Sequence, residues 1–433
     1  MDSKKRHFTD IRFMHIRKSQ NAAKIASKSM SSACRSEYWI VLTTIFNVTS
    51  AIFDYNAMDT WCTVIVGDSK SMEKRIYDSY LNVSKVIYLD VDAQRHIFGE
   101  MNTFNITPFN HFGRKNLGYL YAMMNGAKYI YDTDDDNKVV PPFNKRGIPI
   151  YQSNANLFKL SVRELSDERI NDTFNVFLLW TKSDDHEHFI WPRGYDISVL
   201  PHSFQWHKRV QMRPISFANT SGDESEQHII TQWLSNIEPD FDALQRLIGK
   251  NVDFHSAQFT KQYLFDSAPS KRFAVSIPNR VYVPFNAQMT VWQRQAFLFL
   301  YLPITVHGRV SDIWRSYFAQ TVMHILELNG VRRWKLLYAP VLVDQFRNSH
   351  NYLADFQSEL PLYLQTHALL SWLHRFAMHY KVNAKHVSVG QILLDLYVAL
   401  YEYDIIQEDD VKGVYLWIHD IVDGIGISVL STS

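Results

Sequence analysis

Short apolar runs that stop at aspartates constrain this chain most. Trp39-Ile40-Val41-Leu42, Cys62-Thr63-Val64-Ile65-Val66 and Val86-Ile87-Tyr88-Leu89 are continuous rather than alternating in polarity. Strands of this kind are buried on both faces, as in parallel sheets covered by helices. Residues 116–125 carry Leu117, Leu120, Tyr121 and Met124 at helical spacing, and a fourth strand is expected at 127–131. Buried strands alternating with helices predict an α/β fold: a Rossmann-type, mostly parallel sheet flanked by helices. Ligands of such sheets bind beyond the carboxyl ends of the strands. Asp68, Asp90 and the run Asp132, Asp134, Asp135, Asp136 all fall at those ends and are expected to share one crevice.

Four carboxylates within five residues repel one another. A solvated acidic turn is the simplest alternative, since Asp and Asn are natural turn residues. This run, however, directly follows a buried strand at the binding edge of the sheet. An extended backbone would send Asp134 and Asp136 to the same side. Neighbouring carboxylates raise each other's pKa unless a cation lies between them. Mn²⁺ or Mg²⁺ accepts oxygen ligands and keeps positions open for substrate phosphates, so Asp134 and Asp136 are the expected metal ligands.

At 433 residues and 46% hydrophobic content, the chain can build a large core. A net charge of +1 argues against general nucleic-acid binding. Residues 1–36 hold nine Lys/Arg against Asp2 and Asp10 and read as a basic, solvated tail, with a transit peptide as the alternative. Cys34 and Cys62 make no disulfide framework and leave the compartment open. Five Asn-x-Ser/Thr sequons begin at Asn47, Asn82, Asn105, Asn171 and Asn219. The longest apolar run, 296–306, is too short to span a bilayer, and no secretory signal or anchor is visible. P-loop, GxGxxG and Gly-x-Ser-x-Gly motifs are absent. The run Asp184-Asp185-His186-Glu187-His188 offers zinc two histidines without a third ligand at a recognisable spacing. His324 and His367 lie in helical stripes and are expected to be satisfied there.

In order along the chain stand "WIVLTTIFNVTSAI", "WCTVIVGDSKS", "PFNHFGRKNLGYLYAMMNGAKYIYDTDDDN", "WPRGYDI" and "HGRVSDIWRSYFAQ". Together, across 39–322, they resemble the STELLO-type glycosyltransferase family. The resemblance implies a GT-A-like domain at 37–340, distantly similar to the reversibly glycosylated polypeptides, which are UDP-arabinopyranose mutases. It also implies a nucleotide-sugar donor (a UDP-sugar is favoured), a carbohydrate or glycoconjugate acceptor, and the Golgi lumen. Apolar stretches at 360–380, 389–403 and 414–422 predict a helical domain over 341–433.

Other constellations acquire expected roles in this frame. Arg114 and Lys115 open a helix before the acidic strand, where a diphosphate would be held, with Asn110 and His111 nearby. Asp132 and Asp135 would orient the ribose or the metal's water shell. In "WPRGYDI", Arg193 would reach the donor while Trp191 and Tyr195 offer flat faces. By the resemblance, Asp312 is the candidate base for the acceptor hydroxyl, or an acceptor-binding group, with Trp314 as a sugar platform; otherwise Asp312 caps a helix. A nucleotide-sugar mutase, or a scaffold that keeps the fold without turnover, are the rival readings.

Overall fold

The computed structural model describes residues 34–139, 161–166, 172–179, 190–200, 217–219, 226–248, 273–347, 351–382 and 388–427. The four expected strands are β1 (Tyr38–Thr43), β2 (Cys62–Val66), β3 (Val86–Leu89) and β4 (Tyr129–Thr133). They pair in parallel: β1 lies between β2 and β4, and β3 flanks β2. Further strands are β5 (Asn137–Val139), β6 (Ser161–Leu165), β7 (Phe217–Asn219), β8 (Glu226–Ile237), β9 (Phe273–Ile277), β10 (Met289–Gln293) and β11 (Arg333–Gln345). They continue the sheet in the order β3-β2-β1-β4-β10-β8-β11-β9-β6-β7, with β5 paired to β11. β10 is antiparallel to β4, and strand directions are mixed beyond it.

Helices α1 (Ser50–Asn56), α2 (Lys74–Tyr80), α3 (Val91–Phe98), α4 (Asn102–Ile106) and α5 (Lys115–Met124) connect the parallel half. They are followed by α6 (Ala243–Ile248) and the long α7 (Gly308–Leu328). The period-two geometry of the strands explains the two cores. Trp39, Val41, Val64 and Leu89 join one apolar cluster, while Ile40, Leu42, Ile65 and Tyr88 join another. Both faces are covered, so the strands had to be apolar throughout. Gly118 lets α5 approach this sheet closely. A Cβ there would stand 2.6 Å from Val41 and 2.8 Å from Val66, an overpacking that costs about 1–3 kcal/mol.

The expected C-terminal helical region comprises α8 (Tyr352–Ser358), α9 (Leu360–His379), α10 (Val389–Glu402) and α11 (Glu408–His419). The boundary read between 340 and 341 falls inside β11, and the helices begin at Tyr352. Buried acids dock this region on α4 and the 298–305 segment. Asp410 accepts the backbone N–H groups of Ile304 (2.6 Å) and Thr305 (3.1 Å), and Asp420 accepts that of Thr103 (2.7 Å). The indole of Trp417 donates to the Leu298 carbonyl (3.0 Å).

Cys34 and Cys62 form a disulfide, with Cα atoms 5.8 Å apart, where the sequence suggested two uncommitted thiols. β2 begins at Cys62, where the bridge ties the end of the basic segment to the sheet. Residues 1–33 lie outside the described residues. Among the described residues, no helix is long and apolar enough to cross a membrane.

Candidate functional site

Strand order β3-β2-β1-β4 places a topological switch point between β1 and β4, because the chain leaves these strands in opposite lateral directions. A cleft of about 480 Å³ opens at their carboxyl ends. Thr43 ends β1 and Thr44 follows it, Asp68 follows β2, and Asp134, Asp135 and Asp136 follow β4; all line it, together with His111 and Arg114. Asp68 therefore joins the acidic run as expected. Asp90 does not: its side chain caps α3 by accepting the Ala93 N–H (2.7 Å).

The acidic run divides. Asp132 is still within β4 and wholly buried. Lys115 Nζ lies 2.7 Å from one of its oxygens and Arg315 Nη2 lies 2.8 Å from the other. Asp132 is thus the counter-ion of two buried cations and is not available to a ribose. Asp134, Asp135 and Asp136 form the turn between β4 and β5, so the expected extended backbone gives way to a chain reversal. The turn is braced from the β1 side. Thr49 Oγ1 donates to the Asp135 carbonyl (2.5 Å), Thr44 Oγ1 donates to the Asp135 carboxylate, and the Tyr55 hydroxyl donates to the Asn137 carbonyl (2.5 Å).

Lys115 opens α5, but its side chain runs inward. Its ammonium serves Thr133 O (2.6 Å), Ala287 O (2.8 Å) and Asp134 Oδ1 (3.2 Å) as well as Asp132. It is saturated and leaves no donor for a phosphate. The cation that the acidic run demanded is therefore partly supplied by the protein.

That supply is incomplete. Burial raises the Asp134 carboxyl, with Lys115 pulling the other way. Burial, and then the neighbouring Asp134, push Asp135 up to about 6 and Asp136 up to about 7. Asp136 Oδ1 is buried without a hydrogen-bond partner. These groups fit one more cation. Among the described residues, however, no three His, Cys, Asp or Glu side chains are gathered as a ready cage. A divalent ion held by Asp134 and Asp136 would complete its shell with water and ligand oxygens, which suits Mn²⁺ or Mg²⁺.

Arg114 is the counterpart. It closes a 3₁₀ turn, Phe112–Arg114, and its guanidinium packs over the rings of Phe104 (5.1 Å) and Phe109 (4.4 Å). It donates to the Thr107 carbonyl (3.2 Å) and to Gln94 Oε1, both uncharged, and its Nε has no partner. Burial lowers its pKa to about 10. Asp68, which lines the same cleft, attracts the guanidinium, but among the described residues no carboxylate comes within ion-pair distance, so this buried cation can still take an anion. His111 is committed: its Nδ1 accepts the Gly113 N–H (2.9 Å).

The remaining candidates lie elsewhere, and their expected roles change with their surroundings. Arg193 is buried and forms two parallel bonds to Asp312, at 3.0 and 2.9 Å. It also binds Asp240 (3.0 Å) and the Arg309 carbonyl. Burial opposes ionisation of Asp240, but Arg193 and Arg347 outweigh it and hold its carboxyl well below the usual range. Asp312 accepts the Ala287 N–H (3.2 Å) as well, so neither oxygen is left for an acceptor hydroxyl. Nor is Asp312 the helix cap, for that is His307. Trp191 is buried, its indole donating to Asp242 (2.5 Å). Trp314 and Tyr195 are core residues rather than sugar platforms. His324 is buried in α7 with an unpartnered Nδ1, not satisfied as expected, and His367 pairs with Asp196 (2.8 Å). The 184–188 run lies outside the described residues.

Arg315, Asp240 and Arg347 were not singled out from the sequence. Arg315 alone left a trace, three positions after Asp312 on one helix.

Residues 309–429 match the family model described as STELLO glycosyltransferases. Over that segment the chain is similar to the STELLO glycosyltransferases. It is 24% identical over 409 residues to "Probable glycosyltransferase STELLO2" and 25% identical over 393 residues to "Probable glycosyltransferase STELLO1", both of Arabidopsis thaliana. These alignments cover 93% and 90% of the chain but 47% and 44% of the relatives. The chain thus spans about half the length of the curated relatives it matches. The matched family segment begins in α7 and runs through the C-terminal helices, so it contains Asp312 and Arg315 but not the acidic turn.

Proposed function

We propose that this chain is a glycosyltransferase that takes a sugar from a nucleoside-diphosphate donor, a UDP-sugar by preference, and passes it to a carbohydrate or glycoconjugate. One observation carries the reading: at the switch point of a parallel sheet, under-neutralised carboxylates share a cleft with a buried arginine that forms no ion pair among the described residues. The names of the STELLO relatives point the same way.

In this reading Arg114 receives a diphosphate oxygen and Asp134 and Asp136 hold a divalent ion. Bound there, Mn²⁺ or Mg²⁺ supplies charge neutralisation for the departing diphosphate. Lys115 and Arg315 both pair with the buried Asp132, which fixes the end of β4 and so the aim of the turn. Thr44 holds the Asp135 carboxylate against the β1 side of the cleft. Arg193 and Asp312 act as a brace between the 190–200 segment and α7. A lumenal Golgi setting belongs to the same proposal, and the disulfide supports it because cytosolic disulfides are rare.

Calorimetric titration with UDP, GDP and CDP, with and without Mn²⁺, tests the reading. Metal-dependent affinity for one nucleotide is expected. Equal and metal-independent weakness toward all three would leave a scaffold on a glycosyltransferase fold, a reading favoured by the missing three-donor cage among the described residues.

A further inference from the structure

The sequons find no use in the cleft chemistry, and the fold separates them. Asn47 follows β1 at the cleft edge, beside the lining residues Ile45 and Phe46. Asn105 sits in α4, where its Nδ2 is spent on the Met101 carbonyl (3.0 Å). Asn171 lies outside the described residues, and only the backbone of Asn219 is described.

Asn82 differs on every count. It lies in the connection from α2 to β3, at the amino edge of the parallel strands and opposite the cleft. Its Oδ1 accepts both the backbone N–H (3.0 Å) and the hydroxyl (2.6 Å) of Ser84, the third residue of its own sequon. Its Nδ2 makes no hydrogen bond among the described residues, so derivatising that nitrogen would break nothing. Val83 is 57% exposed, and Tyr80, two residues before the asparagine, is 60% exposed. An exposed aromatic ring gives the first sugar an apolar face to lie on. The Cys34–Cys62 bridge joins the same amino edge at the start of β2. Disulfides persist in oxidising compartments, where sequons also meet their modifying enzyme.

We propose that Asn82 carries an N-linked glycan in the mature protein. The inference rests on the lumenal setting but not on glycosyltransferase activity. The Nδ2 lone pair attacks the anomeric carbon of a lipid-diphosphate-linked oligosaccharide. The bond from that carbon to the diphosphate oxygen breaks, the lipid diphosphate leaves with its electron pair, and Nδ2 gives up one proton. The glycan then stands on the edge of the sheet away from the cleft, where it cannot obstruct a donor.

The test uses protein isolated from the cells that make it. Peptide-N-glycosidase treatment, which hydrolyses the bond between the asparagine side chain and the glycan, should increase electrophoretic mobility, and peptide mass spectrometry should find Asn82 converted to Asp in the treated sample. Asn82→Gln and Ser84→Ala should each abolish that conversion, while Ser84→Thr should retain it. Alkylation without reduction on the same sample reads the disulfide. A bridged protein with Asn82 unmodified, or modified only at Asn47 or Asn105, overturns the assignment of the site. Free Cys34 and Cys62 together with an unmodified Asn82 overturn it by removing the compartment, and leave the nucleotide titrations to judge the proposed activity.

Discussion

Lys115 Nζ stands 3.2 Å from an oxygen of Asp134, and that carboxylate also faces the cleft. A residue expected to grip a phosphate is instead the internal counter-ion of the acidic run. The ammonium neutralises Asp132 and part of Asp134 and leaves Asp136 under-compensated.

Replacing Lys115 by Met would strand Asp134 and leave Asp132 with Arg315 alone. Removing one partner of a buried ion pair typically costs about 3–5 kcal/mol, and a loss of that size is expected in urea unfolding. A cost within a few tenths of a kcal/mol would mean that the carboxylates are neutralised some other way.

The pH dependence has a definite sign. Asp135 and Asp136 titrate at about 6 and about 7, against 3.8 for an ordinary aspartate. Between about pH 4 and 7 the folded chain holds protons that the unfolded chain has released. These two groups therefore make the unliganded protein less stable as pH rises through that window, with the full penalty above it. Asp136→Asn should stabilise the unliganded protein at pH 8 on the order of 1–2 kcal/mol and have almost no effect at pH 4. It should also abolish stabilisation by Mn²⁺. A variant no more stable than the parent at pH 8 sinks this account.

Asp312 distinguishes a base from a brace. A base predicts that Asp312→Asn folds with unchanged stability and loses transfer. The paired geometry with Arg193 predicts a drop of about 3–5 kcal/mol in denaturant unfolding, because the buried guanidinium loses a counter-charge. Asp312→Asn melting like the parent would restore the base.

Arg114→Met tests the unpaired guanidinium. Hydrogen bonds to charged groups contribute about 1.5–3 kcal/mol, so UDP affinity should fall roughly 10- to 100-fold. Since the arginine forms no ion pair among the described residues, thermal stability should change little. Unchanged affinity by calorimetry would remove Arg114 from the site.

Much of this was legible locally. Continuous apolar runs announced the strands, because a strand buried on both faces must be apolar at every position. Helical periodicity found α5 and placed α9 and α10 to within a residue at each end. The end of β4 as the edge of a site followed from the acidic run and the parallel sheet together. Residue roles were less legible. Arg193 and Asp312 each looked free because their partners are 119 residues apart in the chain.

Sequence alone located β1 to β4, α5, the C-terminal helices and the place where negative charge gathers, since these are properties of neighbouring residues, whereas β5 to β11 were not read from it. Tertiary structure alone decided which charges are spent. Asp132 is neutralised by Arg315, 183 residues away, while Arg114, attracted by Asp68, forms no ion pair among the described residues. The physical reason is that burial makes every charge depend on its nearest opposite charge, and only the closed fold brings distant side chains within that range.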